Sequence, residues 1–290
     1  MATYLLRRML LMIPTLLGIT FIVVALMLWA PGEPTFGMES VSAEGGGAKL
    51  TSSQSLNKAK EAMGFFDADG NKKNVFAAWI TWLGKFATLD LGESWKFKKP
   101  VTQLLWERVP VTMLLSGLSI LLTYLISIPL GVRSATRIGT IEDGATTTAL
   151  FALYSMPNWW VAILLILCFS SASGCNWIPV DGLHDVDAST FTSMQFLGDL
   201  IVRLILPVFC LTYASFASLS RYMRSGLLEV VRQDYVRTAR AKGLDERRVV
   251  WTHAFQNALI PIITLLAGLL PSLVGGSIII ELIFSIDGMG

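Results

Sequence analysis

The sequence predicts an all-α integral membrane protein, and three observations carry that expectation. Of 290 residues, 53% are hydrophobic and only 15% are charged, whereas soluble domains carry about 25% charged residues. The mean hydropathy is +0.58, and the apolar residues are gathered into runs, several as long as the roughly 20 residues that cross a bilayer as a helix. The Lys and Arg residues between these runs fall on alternating sides, the pattern that fixes orientation in a membrane.

Five spans are predicted, at Met9–Trp29, Val111–Val132, Thr146–Ser170, Leu204–Leu219 and Leu259–Ile283. The first is longer than the apolar core of a signal peptide and is followed by Ala30-Pro31, so it reads as an uncleaved span. The fourth is short and is expected to begin earlier, near Leu200. Pro14, Pro129, Pro157, Pro207, Pro261 and Pro271 lie in or at the ends of spans, where they mark kinks or helix ends. Arg7 and Arg8 precede span one, Arg133 and Arg137 follow span two, and eight cations separate spans four and five. Residues 171–199, between spans three and four, hold no Lys or Arg. The N-terminus is therefore expected in the cytoplasm. The ten cations of the segment 30–110 do not oppose this, because long loops translocate largely regardless of charge. The expected organisation is an N-terminal span plus outer segment over 1–110 and a core membrane domain over 111–290.

Within the outer segment, Gly45, Gly46 and Gly47 suggest a flexible stretch. Val75–Leu89 carries Phe76, Trp79, Ile80, Trp82, Leu83 and Phe86 at helical spacing. It reads either as a helix lying at the headgroup level or as one packed on the spans.

The polar stretch Arg221–Gln256 is the least expected feature. It carries Arg221, Arg224, Arg232, Arg237, Arg240, Lys242, Arg247 and Arg248, interleaved with Glu229, Asp234, Asp245 and Glu246. Leu227, Val231, Tyr235 and Ala239 recur every fourth residue and predict one apolar stripe on a helix. Gly243, after Lys242, is a helix stop, and Asp245 is placed to cap a second helix. The prediction is helix, glycine turn, helix, presented to the cytoplasm. Attraction to anionic membrane lipid accounts for the charge but not for this shape. Nucleic-acid binding is not favoured, because the cations are bracketed by spans and mixed with acids.

The run DYVRTARAKGLDERRVVWTHAFQNALIP, Asp234–Pro261, resembles the cytoplasmic coupling loop of ABC importer permeases, and more narrowly the dipeptide/oligopeptide branch. The start through Ala30-Pro31-Gly32, the Leu89–Ser94 segment with Pro100-Val101, the Ser127–Gly131 segment and Gly276–Gly290 are similar to that branch in the same order. Arg237-Thr238-Ala239 stands where the broader importer motif has Glu-Ala-Ala, which narrows the resemblance to the peptide branch. Asp287 stands where proline is usual. The resemblance implies the type I ABC importer permease fold, here with five predicted transmembrane helices. The family continues past Gly290 through a further span, so the chain is expected to be truncated before its last one.

The resemblance also implies a site and partners. Tyr235, Arg237, Thr238, Ala239, Arg240, Ala241, Lys242, Gly243 and Leu244 would form the ATPase-coupling loop. The partners would be a paralogous permease subunit, two cytoplasmic ABC ATPase subunits and a periplasmic solute-binding protein. The location would be the bacterial inner membrane. Dipeptides, longer peptides, nickel complexes, glutathione and peptide antibiotics are all solutes of permeases of this appearance.

Other chemistries find little support. Gly139–Gly144 lacks the lysine of a phosphate-binding loop, so no cofactor is expected in this chain and ATP with Mg would be bound by a partner ATPase. Cys168, Cys175 and Cys210 show no metal or disulfide spacing. His184, among Asp181, Asp185 and Asp187, reads as a solvated loop rather than a metal site, and His253 as packing or partner contact. An intramembrane hydrolase lacks a base for its nucleophile. An ion-coupled secondary transporter would show inverted repeats and paired midplane charges. Glu281 is the one carboxylate in a predicted span. It is a gate or substrate-path candidate together with Gly275 and Gly276, or else an exposed group near the outer end of span five.

Overall fold

A computed structural model describes residues 2–29, 65, 71–94, 97–169, 178–184, 191–269 and 271–290. Gly45–Gly47, Ala30-Pro31-Gly32, Cys175, Asp185 and Asp187 lie outside the described residues. The chain separates into two units, Met1–Trp106 and Glu107–Gly290.

In the first unit, α1 (Ala2–Trp29) runs through the whole predicted first span. Helix α2 (Val75–Ala87) starts at Asn74, whose side chain accepts from the Phe76 N–H. It packs on α1: Ala78 is buried with Val24 and Leu28, the Trp79 indole donates to Thr20 Oγ1 at 3.2 Å, and Phe21 meets Trp79 edge-on. Packing on a span, one of the two readings of this helix, is found. Beyond it, Glu93 and Pro100 form an isolated β-bridge at the start of α3 (Val101–Thr136).

The second unit is built on two helices longer than any bilayer requires. Helix α3 has 36 residues and α6 (Ser193–Val231) has 39. At about 1.5 Å per residue these reach about 54 and 58 Å, against a hydrocarbon core of about 30 Å. The short fourth span is thus the middle of α6. That helix begins at Ser193, where Gln195 Oε1 accepts from the Thr192 N–H at 2.9 Å. Helices α3 and α6 touch backbone to backbone at Gly131, where a Cβ would lie 2.5 Å from Ser220 O and 2.6 Å from Met223 Cβ. Small residues permit such close approach between membrane helices.

Two predicted spans are not continuous. The third is a pair, α4 (Ile141–Tyr154) and α5 (Asn158–Phe169), bent by 93°. Pro157 cannot donate a backbone hydrogen bond, and the buried Tyr213 hydroxyl donates to the Met156 carbonyl at 2.7 Å. The fifth is α9 (Phe255–Leu269), α10 (Ser272–Gly275) and α11 (Ile278–Ile283). Gly276, at φ +67°, separates α10 from α11. Among the described residues, four helices are long and apolar enough to span a membrane, or five if the bent pair is one span.

Candidate functional site

Helix α6 does not end where its apolar span ends. It carries the chain on through Arg221–Val231, stops at Arg232, and Gln233 is extended before α7 (Asp234–Ala241). Gly243 then turns the chain at φ +76°, a left-handed conformation that strains any residue with a Cβ. The Gly243 N–H donates to Arg240 O at 2.9 Å. Asp245 caps the next helix by accepting from the Arg247 N–H at 3.2 Å. That helix, α8 (Glu246–Arg248), passes through a π-helical segment, Val249–Ala254, directly into α9. The glycine turn and the cap lie where the sequence put them. The continuity of the second helix with the last span was not foreseen.

The apolar stripe is corrected by the same break. Because Arg232-Gln233 interrupts the helix, the four-residue repeat Leu227, Val231, Tyr235, Ala239 does not form one face. Leu227 and Ala239 are buried, but Tyr235 is 43% exposed and its neighbour Val236 is fully buried. Val236 and Ala239 share one core with Val132 and Ala135 of α3, Met223 and Leu227 of α6, Val249, Val250 and Ala254 of the π segment, and Ala258 and Ile262 of α9. Leu244 packs against the same core. The loop therefore packs as an extension of the ends of α3, α6 and α9.

Polar contacts complete the shape. Arg240 donates to Glu246 through Nε at 3.0 Å and Nη2 at 2.7 Å, joining α7 to α8 across the turn. This hydrogen-bonded pairing holds the Arg240 guanidinium above its ordinary pKa. Tyr235 Oη accepts from Asn257 Nδ2 at 2.7 Å, and Thr238 Oγ1 donates to Asp234 O at 2.9 Å. Arg237 lies 3.7 Å from Asp234 in a highly exposed pair. Thr238, Ala241, Lys242 and Gly243 are exposed. The eight cations are thus not equivalent. Arg240 is bound within the loop, Arg221 lies over the Phe151 ring at 4.2 Å, and Arg224 pairs with Asp143 at 2.7 Å. Arg232, Arg237, Lys242, Arg247 and Arg248 remain on the surface.

Asp143 was missed from the sequence. It sits in the first turn of α4, is 7% exposed, and also accepts from Ser134 and from the Gly139 N–H. It ties the start of α4 to the α3 and α6 ends, and Glu142 beside it bridges Arg133 and Arg137. The only signal available was two adjacent acids opposite a basic loop.

Glu281 is not the exposed interfacial group that was one of its two readings. It is 4% exposed and accepts from Thr112 Oγ1 at 3.2 Å, the Ser277 N–H at 3.3 Å and the Gly290 N–H at 2.7 Å. Thr112 Oγ1 in turn accepts from the Met289 N–H. A Cβ at Gly276 or Gly288 would lie within 2.4 Å of the carboxylate, whereas one at Gly275 would meet nothing. Arg108 reaches Gly288 O at 3.3 Å. The carboxylate thus holds residues 286–290 against α3. His184 stacks on Phe196, and no group of three or more His, Cys, Asp or Glu side chains gathers among the described residues.

Residues 127–290 match the family described as binding-protein-dependent transport system inner membrane component. The chain belongs to this family. It is 38% identical over 292 residues to the oligopeptide transport system permease protein AppB of Bacillus subtilis, covering all of this chain and 85% of that one. It is 34% identical over 304 residues to the di/tripeptide transport system permease protein DppB of Pseudomonas aeruginosa, covering 100% and 86%. It is 31% identical over 316 residues to the peptidoglycan transport system permease protein YejB of Agrobacterium fabrum, again covering 100% and 86%. As a family member the chain is a multi-pass inner-membrane permease subunit of an ATP-driven importer, not an enzyme. ATP hydrolysis belongs to a separate ATPase chain, and a solute-binding protein is a further partner of such systems. The ion-coupled and hydrolase alternatives are set aside.

Proposed function

We propose that α7, the Gly243 turn and α8 form the surface on which the ATPase seats, and that the solute carried is a peptide. One observation carries the first part. Val236 and Ala239 are sunk in the core that also holds the ends of α3, α6 and α9, while Arg237, Thr238 and Gly243 face outward. A push on the outer face reaches the ends of three helices at once, because close-packed interiors pass on displacement rather than absorb it. The peptide assignment is supported by the relatives, two of which are named for oligopeptides and di/tripeptides.

On this reading the loop faces the cytoplasm and so does the N-terminus, in keeping with the cations flanking the spans. A paralogous permease completes the pore, two ATPases drive it, and a periplasmic binding protein delivers the peptide. ATP and Mg are held by the ATPases alone. Anionic lipid meets the outlying arginines.

Co-purification tests the seat. Arg237→Glu reverses an exposed charge without touching the buried pair, so the variant should insert normally yet recover several-fold less ATPase from detergent extracts. Undiminished recovery from this variant and from Thr238→Trp would refute the assignment.

A further inference from the structure

Helices α3 and α6 and the α9–α10 segment enclose a cavity of about 340 Å³. Its wall is unusual for the interior of a membrane unit. Nine of its fifteen lining residues are Ser, Thr or Tyr, and none is Asp, Glu, Lys, Arg or His. Ser116 and Thr123 come from α3, Ser215 and Ser218 from α6, and Ser272 and Ser277 from the broken last span.

Hydroxyls in membrane helices ordinarily bond a carbonyl of their own preceding turn. Ser119 does so to Leu115 O at 2.7 Å, and Ser272 to Leu269 O at 2.6 Å. Thr123 does not. It is 6% exposed, it lines the cavity, and among the described residues no group hydrogen-bonds its hydroxyl. The Thr123 hydroxyl is not sealed off: the buried side-chain oxygen left without a partner among the described residues is Ser127 Oγ, whereas Thr123 Oγ1 stays open to the cavity it lines. Because it is not tied back to its own helix, this hydroxyl is free to bond whatever enters the cavity.

Resting on the peptide-import reading above, we infer that this cavity is this chain's stretch of the solute path and that it takes a peptide by its backbone. Each peptide unit offers one N–H donor and one carbonyl acceptor, and a hydroxyl serves either. A wall of hydroxyls therefore matches a passing backbone in any register. With no fixed charge in the wall, the side-chain charges of the peptide are not read. Neutral hydrogen bonds also hold weakly enough to release, which a path needs and a tight site does not. The volume lies at the small end of ligand cavities, about 300 to 1,000 Å³.

The complete importer, reconstituted with its ATPase and binding protein in proteoliposomes, tests this with trialanine and its Ala-Lys-Ala and Ala-Glu-Ala analogues. Thr123→Val with Ser215→Ala should lower uptake of all three by a similar factor, roughly tenfold for two lost hydrogen bonds. Thr123→Ser should restore it. Ser116→Cys and Ser215→Cys should react with a water-soluble maleimide, while Leu121→Cys, outside the cavity, should not. Unchanged uptake in the double variant, loss confined to one charged analogue, or unreactive cavity cysteines would each overturn the inference. An unaltered importer that moves none of the three peptides would sink the peptide reading itself, and backbone recognition with it. Normal uptake that ignores the Thr123 change sinks the cavity alone.

Discussion

Arg240 and Glu246 face each other across the Gly243 turn in a two-point hydrogen-bonded ion pair, at 3.0 and 2.7 Å. Both are partly exposed, with side-chain exposures of 37% and 61%. Pairs of this kind contribute less than about 1 kcal/mol. The pair therefore sets the shape of the turn more than the stability of the chain. Glu246→Gln should leave thermal unfolding in detergent nearly unchanged. It should speed amide hydrogen exchange over residues 241–247, and raised salt should do the same to the unaltered protein.

The register of α7 gives a sharper expectation. Val236 is fully buried and Tyr235 is not. Val236→Ala should cost roughly 1.5 to 3 kcal/mol, from lost burial plus the cavity left behind. Tyr235→Phe removes only the Asn257 bond and should cost about 1 kcal/mol or less. Denaturation midpoints of the two variants check the order. The reverse order would restore the single-stripe reading.

These two residues show what was legible in the sequence. The glycine turn, the Asp245 cap and the existence of the spans were local signals, set by residue type and spacing. The face of α7 was not, because a repeat of four was carried through Arg232-Gln233 as though the helix were unbroken. The bend at Pro157 was marked by its residue, but the group that meets it, Tyr213, lies far along the chain. Burial of Glu281 likewise depends on Thr112 of α3, 169 residues away. Asp143 carried no motif, and only the approach of α6 brought Arg224 to it.

Contact at Gly131 makes a prediction about the two long helices. Gly131→Ala places a methyl against Ser220 O and Met223 and should destabilise the unit by about 1 to 3 kcal/mol. Gly144→Ala, where a Cβ meets nothing, is the control and should be neutral or slightly stabilising.

Glu281 should behave as a structural anchor for residues 286–290. In Glu281→Gln, one carboxylate oxygen becomes an amide donor facing the N–H of Gly290 or Ser277. The cost should be about 1 to 3 kcal/mol, with faster hydrogen exchange at Met289 and Gly290. Unchanged exchange there would separate Glu281 from the closing segment.

The central claim is that the α7–Gly243–α8 loop couples this permease to ATP hydrolysis. Proline cannot take φ +76°, so Gly243→Pro must rebuild the turn while leaving the spans intact. The decisive measurement is substrate-stimulated ATP hydrolysis by the reconstituted importer carrying this change. The account predicts normal membrane insertion, no peptide uptake and hydrolysis that no longer responds to substrate. Stimulated hydrolysis and uptake at the unaltered level would contradict it.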